Sequence, residues 1–154
     1  MTKEELLSSA GLLIQPSKQV SAEYGRKREQ LAADMNRIMG ERPDIEYMVG
    51  GNRAMMDDNH RNHARFLESL FSLYSPSEFV ETVLWVFRAY RSHGFQLTYW
   101  PAQLDTWVEL LRSELSPEAM DEIYPFYRWM IVNQHSFVLL SDSFVPADAA
   151  VPKH

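Results

Sequence analysis

Two histidines one helical turn apart, His60 and His63, are residues whose type and spacing could do chemistry. Both lie with Met56 and Leu67 on a stripe of one predicted helix that faces inward, so the two imidazoles could ligate the same metal ion. Asp57, one turn before His60, would add a carboxylate ligand. Carboxylate di-iron bundles carry further His or Glu pairs on partner helices, and the sequence shows no second pair of histidines at that spacing. One hypothesis is therefore a small metal-dependent enzyme, and its alternative is two partly buried histidines bonded to carbonyls or water.

His93 is a third candidate, because it lies at a predicted helix end, directly before Gly94. A histidine at a corner between two helices can face a buried pocket, and the next helix carries Trp107. We expect a pocket near His63, His93 and Trp107. The alternative is that the imidazole of His93 interacts with the dipole at the carboxyl end of its own helix.

The elements that must position these side chains are helices, because apolar residues recur mostly at three- and four-residue spacing. Start signals precede several of them: Thr2 with Glu5, Ser75-Pro76, Thr98 and Ser116-Pro117. The predicted helices cover residues 3–14, residues 21–39, a short turn after Pro43, residues 53–74, Ser75 to Gly94, Thr98 through Leu115, and Ser116 through Val138 with a kink at Pro125. We predict a single all-α domain of six to seven helices over residues 1–140 and a flexible tail over residues 141–154.

Composition limits the function classes. The 154 residues include no cysteine, which excludes disulfides, thiolate catalysis and iron–sulfur clusters. The net charge is −6, and residues 66–154 hold eleven acidic but only five basic side chains, so nucleic-acid binding is not expected. We find no secretory signal and no apolar run near the ~18 residues that a membrane span needs. These features favour a cytoplasmic protein.

From His63 to Trp107 the chain resembles the globins. Thirty residues separate His63 from His93, and Pro101, Leu104 and Trp107 follow as the opening of the next helix. The resemblance covers about residues 20–140 and implies a globin-like fold, in preference to a plain helical bundle. It also implies His93 as the proximal ligand of a haem iron and His63 as the residue facing a bound gas.

Other residues depart from the globin pattern and favour a haem-free version of the fold. Ala89, one turn before His93, stands where globins carry a large apolar residue. No phenylalanine stands clearly at the corner near residues 47–49, and the helix before His93 begins immediately after its neighbour. Globin-like domains without haem serve as sensor or regulatory modules in bacterial signalling proteins, which is what the resemblance then implies here.

Aromatic residues are abundant, with four Trp, seven Tyr and eight Phe. Tyr99-Trp100 and the segment from Tyr124 to Trp129 hold more aromatic side chains than one buried stripe can take. We therefore predict that some of them, among Tyr99, Trp100 and Trp129, lie at an interface with a partner. A homodimer through the last two helices is the simplest arrangement.

The motifs of common enzymes are missing: the chain has no Gly-rich phosphate loop, no Gly-x-Ser-x-Gly and no His-Glu-x-x-His. The sequence thus favours a non-enzymatic regulatory or sensory domain that acts on a protein partner and holds a small apolar ligand. Two alternatives stay open. One is a haem-binding gas sensor or carrier with His93 on iron, and the other is the metal-dependent enzyme with Asp57, His60 and His63.

Overall fold

The computed structural model describes residues 1–142 of the chain. These residues contain eight α-helices and no β-strand. The helices are α1 (Lys3–Ala10), α2 (Lys18–Gly40), α3 (Ile45–Met48), α4 (Arg53–Ser72), α5 (Pro76–Arg91), α6 (Tyr99–Glu114), α7 (Pro117–Val132) and α8 (Gln134–Asp142). The all-α prediction is confirmed. None of these helices combines the length and the apolarity needed to cross a membrane.

Three of the predicted start signals act as helix caps. Glu5 N donates to Thr2 Oγ1 at 3.1 Å while Thr2 N donates to Glu5 Oε1 at 2.9 Å, which is a complete capping box. Ser75 Oγ accepts from the third residue of α5, and Ser116 Oγ does the same for α7. Thr98 precedes α6 as predicted, but its side chain makes no capping hydrogen bond.

The predicted count of six to seven helices was wrong, because the segment predicted as the last helix forms two helices, α7 and α8. It breaks at Asn133, whose side chain donates to the Trp129 carbonyl at 2.9 Å, and α8 begins at the next residue. α8 continues to Asp142, beyond the expected domain end at residue 140, while residues 143–154 of the expected tail lie outside the described residues. α1 ends at Ala10 instead of residue 14. Leu12 and Ile14 are exposed, so continuing the helix would not bury them in the core.

The longest helices form the frame of the molecule. α2 packs along α4, α6 packs against α7 and α2, and α5 lies between α1 and α8. Their apolar faces meet in one core, whose largest completely buried side chain is Trp107. α4 packs closely along α2, and its side chains also reach α6, where Tyr99 and Gln103 hydrogen-bond to Asn59.

The α3–α4 loop meets the α5–α6 loop at Gly50 and Gly94, a contact we call the glycine corner. Both residues have positive φ, +58° at Gly50 and +96° at Gly94, a conformation that favours glycine. A Cβ on Gly50 would lie 2.6 Å from the Gly94 carbonyl oxygen. Gln96 N donates to the Met48 carbonyl at 2.8 Å, and Asn52 Nδ2 donates to the His93 carbonyl at 2.6 Å. The corner thus fixes the start of α4 against the end of α5.

Glu23 on α2 holds the start of α7. Its carboxylate accepts from Ser116 N and from Ser116 Oγ, both at 2.7 Å. The hydrogen bond from the Ser116 backbone holds the pKa of Glu23 below its ordinary value, partly opposed by burial. The carboxylate therefore joins two helices that are far apart in the sequence.

Replacing Glu23 with alanine is expected to lower the free energy of unfolding by about 1.5–3 kcal/mol, the usual cost of losing hydrogen bonds to a charged group. Urea denaturation followed by circular dichroism measures the change. Glu29→Ala, on the same helix and exposed, is the control and should change stability by less than about 0.5 kcal/mol. Equal losses in the two variants would contradict the role given to Glu23.

Candidate functional site

α4 presents three polar side chains to the interior of the protein. Asn59 and His60 are buried, and His63 is half-buried one turn later. This agrees with the stripe predicted to face inward. The neighbouring helices α2, α6 and α7 supply the partners of these three side chains.

Both ring nitrogens of His60 face polar atoms of neighbouring helices. Its Nδ1 lies 2.7 Å from Asn36 Oδ1, an acceptor, so Nδ1 carries the proton and donates. Its Nε2 lies 3.3 Å from the oxygen of the Tyr99 hydroxyl, whose proton is donated to Asn59 Oδ1 at 2.9 Å. Burial, and to a smaller extent the nearby His63 and Arg61, lowers the pKa of His60 to about 3. The imidazole is therefore neutral at physiological pH.

His63 belongs to a second chain of hydrogen bonds. Its Nε2 lies 2.8 Å from the Tyr127 hydroxyl, which lies 3.2 Å from the Tyr24 hydroxyl. Burial raises the pKa of both tyrosines far above the ordinary value, so their hydroxyls stay protonated. The ring of His63 stacks on Trp107 with 4.7 Å between centroids and 26° between planes. Trp107 thereby separates the His63 chain from His60, whose ring meets it edge-on.

Replacing Tyr127 with phenylalanine is expected to cost about 1–3 kcal/mol of stability, since it keeps the ring but removes the hydroxyl that joins His63 to Tyr24. Chemical denaturation at pH 8 tests this. Tyr47→Phe, at a residue 68% exposed, removes a solvated hydroxyl and should be neutral. A Tyr127→Phe protein as stable as the Tyr47→Phe control would show that the chain of hydroxyls does not stabilise the fold.

The two histidines predicted to bind a metal contact protein groups instead. Both ring nitrogens of His60 face protein groups, and Nε2 of His63 faces Tyr127. Asp57 lies at the surface side of α4, where partial burial raises its pKa. Within residues 1–142, no three His, Asp or Glu side chains are grouped so that they could hold a metal ion.

A pocket of about 50 Å³ lies beside this network, between α4, α5, α6 and α7. Most of its walls are apolar, and four polar residues line it as well: Asn59, His63, Thr82 and Gln103. The apolar lining residues are Phe66, Leu67, Phe79, Val83, Val86, Phe87, Trp100, Leu104 and Met130. Its volume exceeds what one water molecule needs, about 10–15 Å³ by the same measure, several times over. As it stands the pocket has room for a few water-sized groups, and a larger molecule requires the side chains that line it to move.

Trp100 lines this pocket and carries a hydrogen-bond donor without a partner among residues 1–142. Its ring stacks on Phe87 with 4.6 Å between centroids, and the residue is only 4% exposed. Its Nε1 is buried and has no hydrogen-bond acceptor among residues 1–142. Nε1 of Trp107 also lacks an acceptor there, but Trp107 does not line the pocket. Buried indole N–H groups usually have partners, so the one on Trp100 suits a ligand that brings an acceptor.

The predicted pocket residues are only partly brought together. His63 and Trp107 stack on each other, as described above, whereas His93 is exposed at the end of α5 and lines no part of the pocket. Its Nδ1 lies 2.8 Å from the Ala89 carbonyl of its own helix. The residues do not fit a haem, because the imidazole expected on iron points elsewhere and the pocket is far too small for a porphyrin.

The aromatic residues predicted at an interface are inside the protein, so the expectation that they are exposed was wrong. Tyr99 is 0% exposed, Trp100 4% and Trp129 6%. α1 covers Trp129 and supplies Ser9, whose hydroxyl accepts from Trp129 Nε1 at 2.9 Å. α8 contacts the same ring through Phe137, so α1 and α8 together cover Trp129.

Sequence reasoning missed three amides of the network: Asn36, Asn59 and Gln103. Asn59 could have been found, since it falls between Met56 and His63 on the inward stripe. Neither Asn36 nor Gln103 could be identified from neighbouring residues in the sequence, because each hydrogen-bonds to a residue of another helix.

In comparisons with known proteins, no family model, no curated protein and no solved structure matches the chain. The likeness to globins therefore rests only on the spacing of residues such as His63, His93 and Pro101. The statement that holds is the coarser one, an all-α protein.

Proposed function

We propose that this protein is a non-enzymatic regulatory or sensory domain that holds a small, largely apolar molecule and acts on a protein partner. The observation that carries the proposal is the pocket between α4, α5, α6 and α7 with the unpartnered Nε1 of Trp100. Apolar walls with a few placed polar groups are the usual composition of small-molecule sites.

The state of the buried titratable groups favours binding over proton-transfer chemistry. His60, Tyr24, Tyr99 and Tyr127 are all held in their neutral forms by burial. A general acid or base works best with a pKa near the working pH, and burial moves these groups away from it. Their hydrogen bonds instead stiffen the floor of the pocket, where Asn59 Oδ1 accepts from Gln103 Nε2 at 3.3 Å.

The ligand would place an apolar body between Val83, Val86 and Phe66 and a hydrogen-bond acceptor on Trp100 Nε1. A buried donor without a partner costs about 1–3 kcal/mol, so a ligand that satisfies it gains affinity over a pure hydrocarbon. A small ketone or ester meets both requirements. Val86 and Phe66 are only half-buried, so their side chains can shift to admit such a molecule.

The test uses cyclopentanone and cyclopentane as matched probes, with NMR of the tryptophan indole N–H groups as the readout. We expect cyclopentanone to shift the Trp100 signal and to bind at least several-fold more tightly than cyclopentane. Val86→Phe should fill the pocket and abolish the shift, while Val132→Phe, at a residue 60% exposed, should leave it intact. Failure of both probes to shift Trp100, or shifts that persist in Val86→Phe, would contradict the proposed site.

A further inference from the structure

The three most exposed large aliphatic side chains of residues 1–142 lie on two segments that the side chain of Gln15 joins by hydrogen bonds. Ile14 is 83% exposed, Leu12 82% and Leu73 78%. Leu12 and Ile14 lie on the α1–α2 loop, and Leu73 follows the end of α4. We call this group the aliphatic corner. Single exposed leucines are common in proteins, but grouped ones indicate a binding surface.

Hydrogen bonds hold the aliphatic corner in place. Gln15 Nε2 donates to the Ser72 carbonyl at 3.1 Å, and Tyr74 N donates to Gln15 Oε1 at 3.0 Å, so one side chain spans the backbone on both sides of Leu73. Ser17 N donates to Glu122 Oε1 at 2.6 Å, which ties the same loop to α7. The exposed side chains are thus presented on a fixed backbone, which lowers the entropy cost of binding.

A groove of about 430 Å³ extends from the aliphatic corner to α7. Leu12, Leu13, Ile14 and Gln15 form one wall, and Asp121, Glu122 and Pro125 form the other. The groove has two carboxylates and no cationic lining residue; Lys18 lies in the next cleft, together with Glu68. Because Pro125 has no N–H, the Asp121 carbonyl lacks its usual helical donor and adds a further acceptor on this side.

We propose that the aliphatic corner and this groove bind an amphipathic, basic segment of a partner protein, with aliphatic side chains flanked by Lys or Arg. Charge selects this occupant. A second copy related by twofold symmetry would bring the same carboxylates to the same interface, and an anionic lipid surface would be repelled. The inference rests on the proposed function for the existence of a partner, but not for the pocket ligand.

The experiment selects 16-residue peptides from a random display library on the whole chain and measures the selected peptides by fluorescence anisotropy. We expect a consensus of two aliphatic residues at helical spacing with Lys or Arg beside them. Ile14→Ser and Leu73→Ser should each weaken binding at least 10-fold, whereas Leu139→Ser, 56% exposed on α8, should not. Asp121→Lys should weaken binding several-fold, and Asp105→Lys, exposed on α6, is its control.

Several results would overturn the proposal. Peptides that bind Ile14→Ser and Leu73→Ser as well as the original chain would place binding elsewhere, and a library that yields no peptide would remove its support. A dimer that Ile14→Ser dissociates would assign the aliphatic corner to a second copy. Binding to phosphatidylglycerol vesicles that is lost in the same variant would assign it to a membrane. None of these outcomes changes the cyclopentanone result, so failure here is distinct from failure of the pocket.

Discussion

Gly50→Ala is expected to lower the free energy of unfolding by about 2–5 kcal/mol, a large fraction of the total stability of a protein of this size. Two costs add. A residue with a Cβ pays about 1–2 kcal/mol for the left-handed conformation at φ +58°. The new methyl group would also lie 2.6 Å from the Gly94 carbonyl oxygen, and because backbone cannot rotate away, overpacking adds about 1–3 kcal/mol.

Gly51→Ala separates the two costs. Gly51 also has a positive φ, +77°, but a Cβ there meets nothing within 4 Å. This variant should lose only the conformational part, about 1–2 kcal/mol. Thermal and urea denaturation of both variants measure the difference. Equal losses at Gly50 and Gly51 would mean that the close contact at the glycine corner does not exist in solution.

Acid is expected to destabilise the protein through His60. The pKa of His60 is about 3 in the folded protein against an ordinary value of 6.5. Between these two pH values the unfolded chain binds a proton at His60 and the folded protein does not. The stability due to neutral His60 is complete above pH 6.5 and is lost as the pH falls from there towards 3. At 1.36 kcal/mol for each pKa unit, the loss is about 2 kcal/mol at pH 5 and about 3 kcal/mol at pH 4.

Urea midpoints between pH 8 and pH 4 measure this slope, and His60→Gln should remove the part that His60 contributes. His135→Gln, at an exposed histidine on α8, should keep it. An NMR titration of the original chain provides a check that needs no variant, since the imidazole signals of His60 should not move between pH 7 and pH 5. Signals that titrate near pH 6.5 would show that His60 is solvated and would overturn the prediction.

Several helix starts were predictable from the sequence, and helix ends were less so; the start of α2 was missed, because the helix begins at Lys18 after the cap Ser17 and not at residue 21. Thr2, Ser75 and Ser116 each carry their capping partner within three residues, so the signal is local. The early end of α1 and the break at Asn133 depend on where other helices supply a core. Local chemistry therefore specifies where a helix begins, while long-range packing decides where several of them stop.

The candidate site shows the same division. The inward stripe of α4 predicted His60 and His63 correctly, because helical spacing alone places them on one face. His93 was expected at the same pocket, but its position depends on the direction in which α5 ends, and its imidazole bonds to Ala89 instead. Asn36 joins the network from α2, and nothing near it in the sequence announces that contact.

The buried polar network also limits how the helices can be arranged. Apolar stripes of leucine and phenylalanine tolerate a neighbour that slides along its axis by one turn, about 5.4 Å. Such a slide of α2 or α7 against α4 would strand Asn36 or the Tyr127 hydroxyl without a partner inside the core. Competing packings are thereby penalised, whatever hydrophobic area they bury. The few polar atoms at the centre therefore determine the register of the helices, whereas the surrounding aromatic side chains contribute hydrophobic stabilisation without selecting a register.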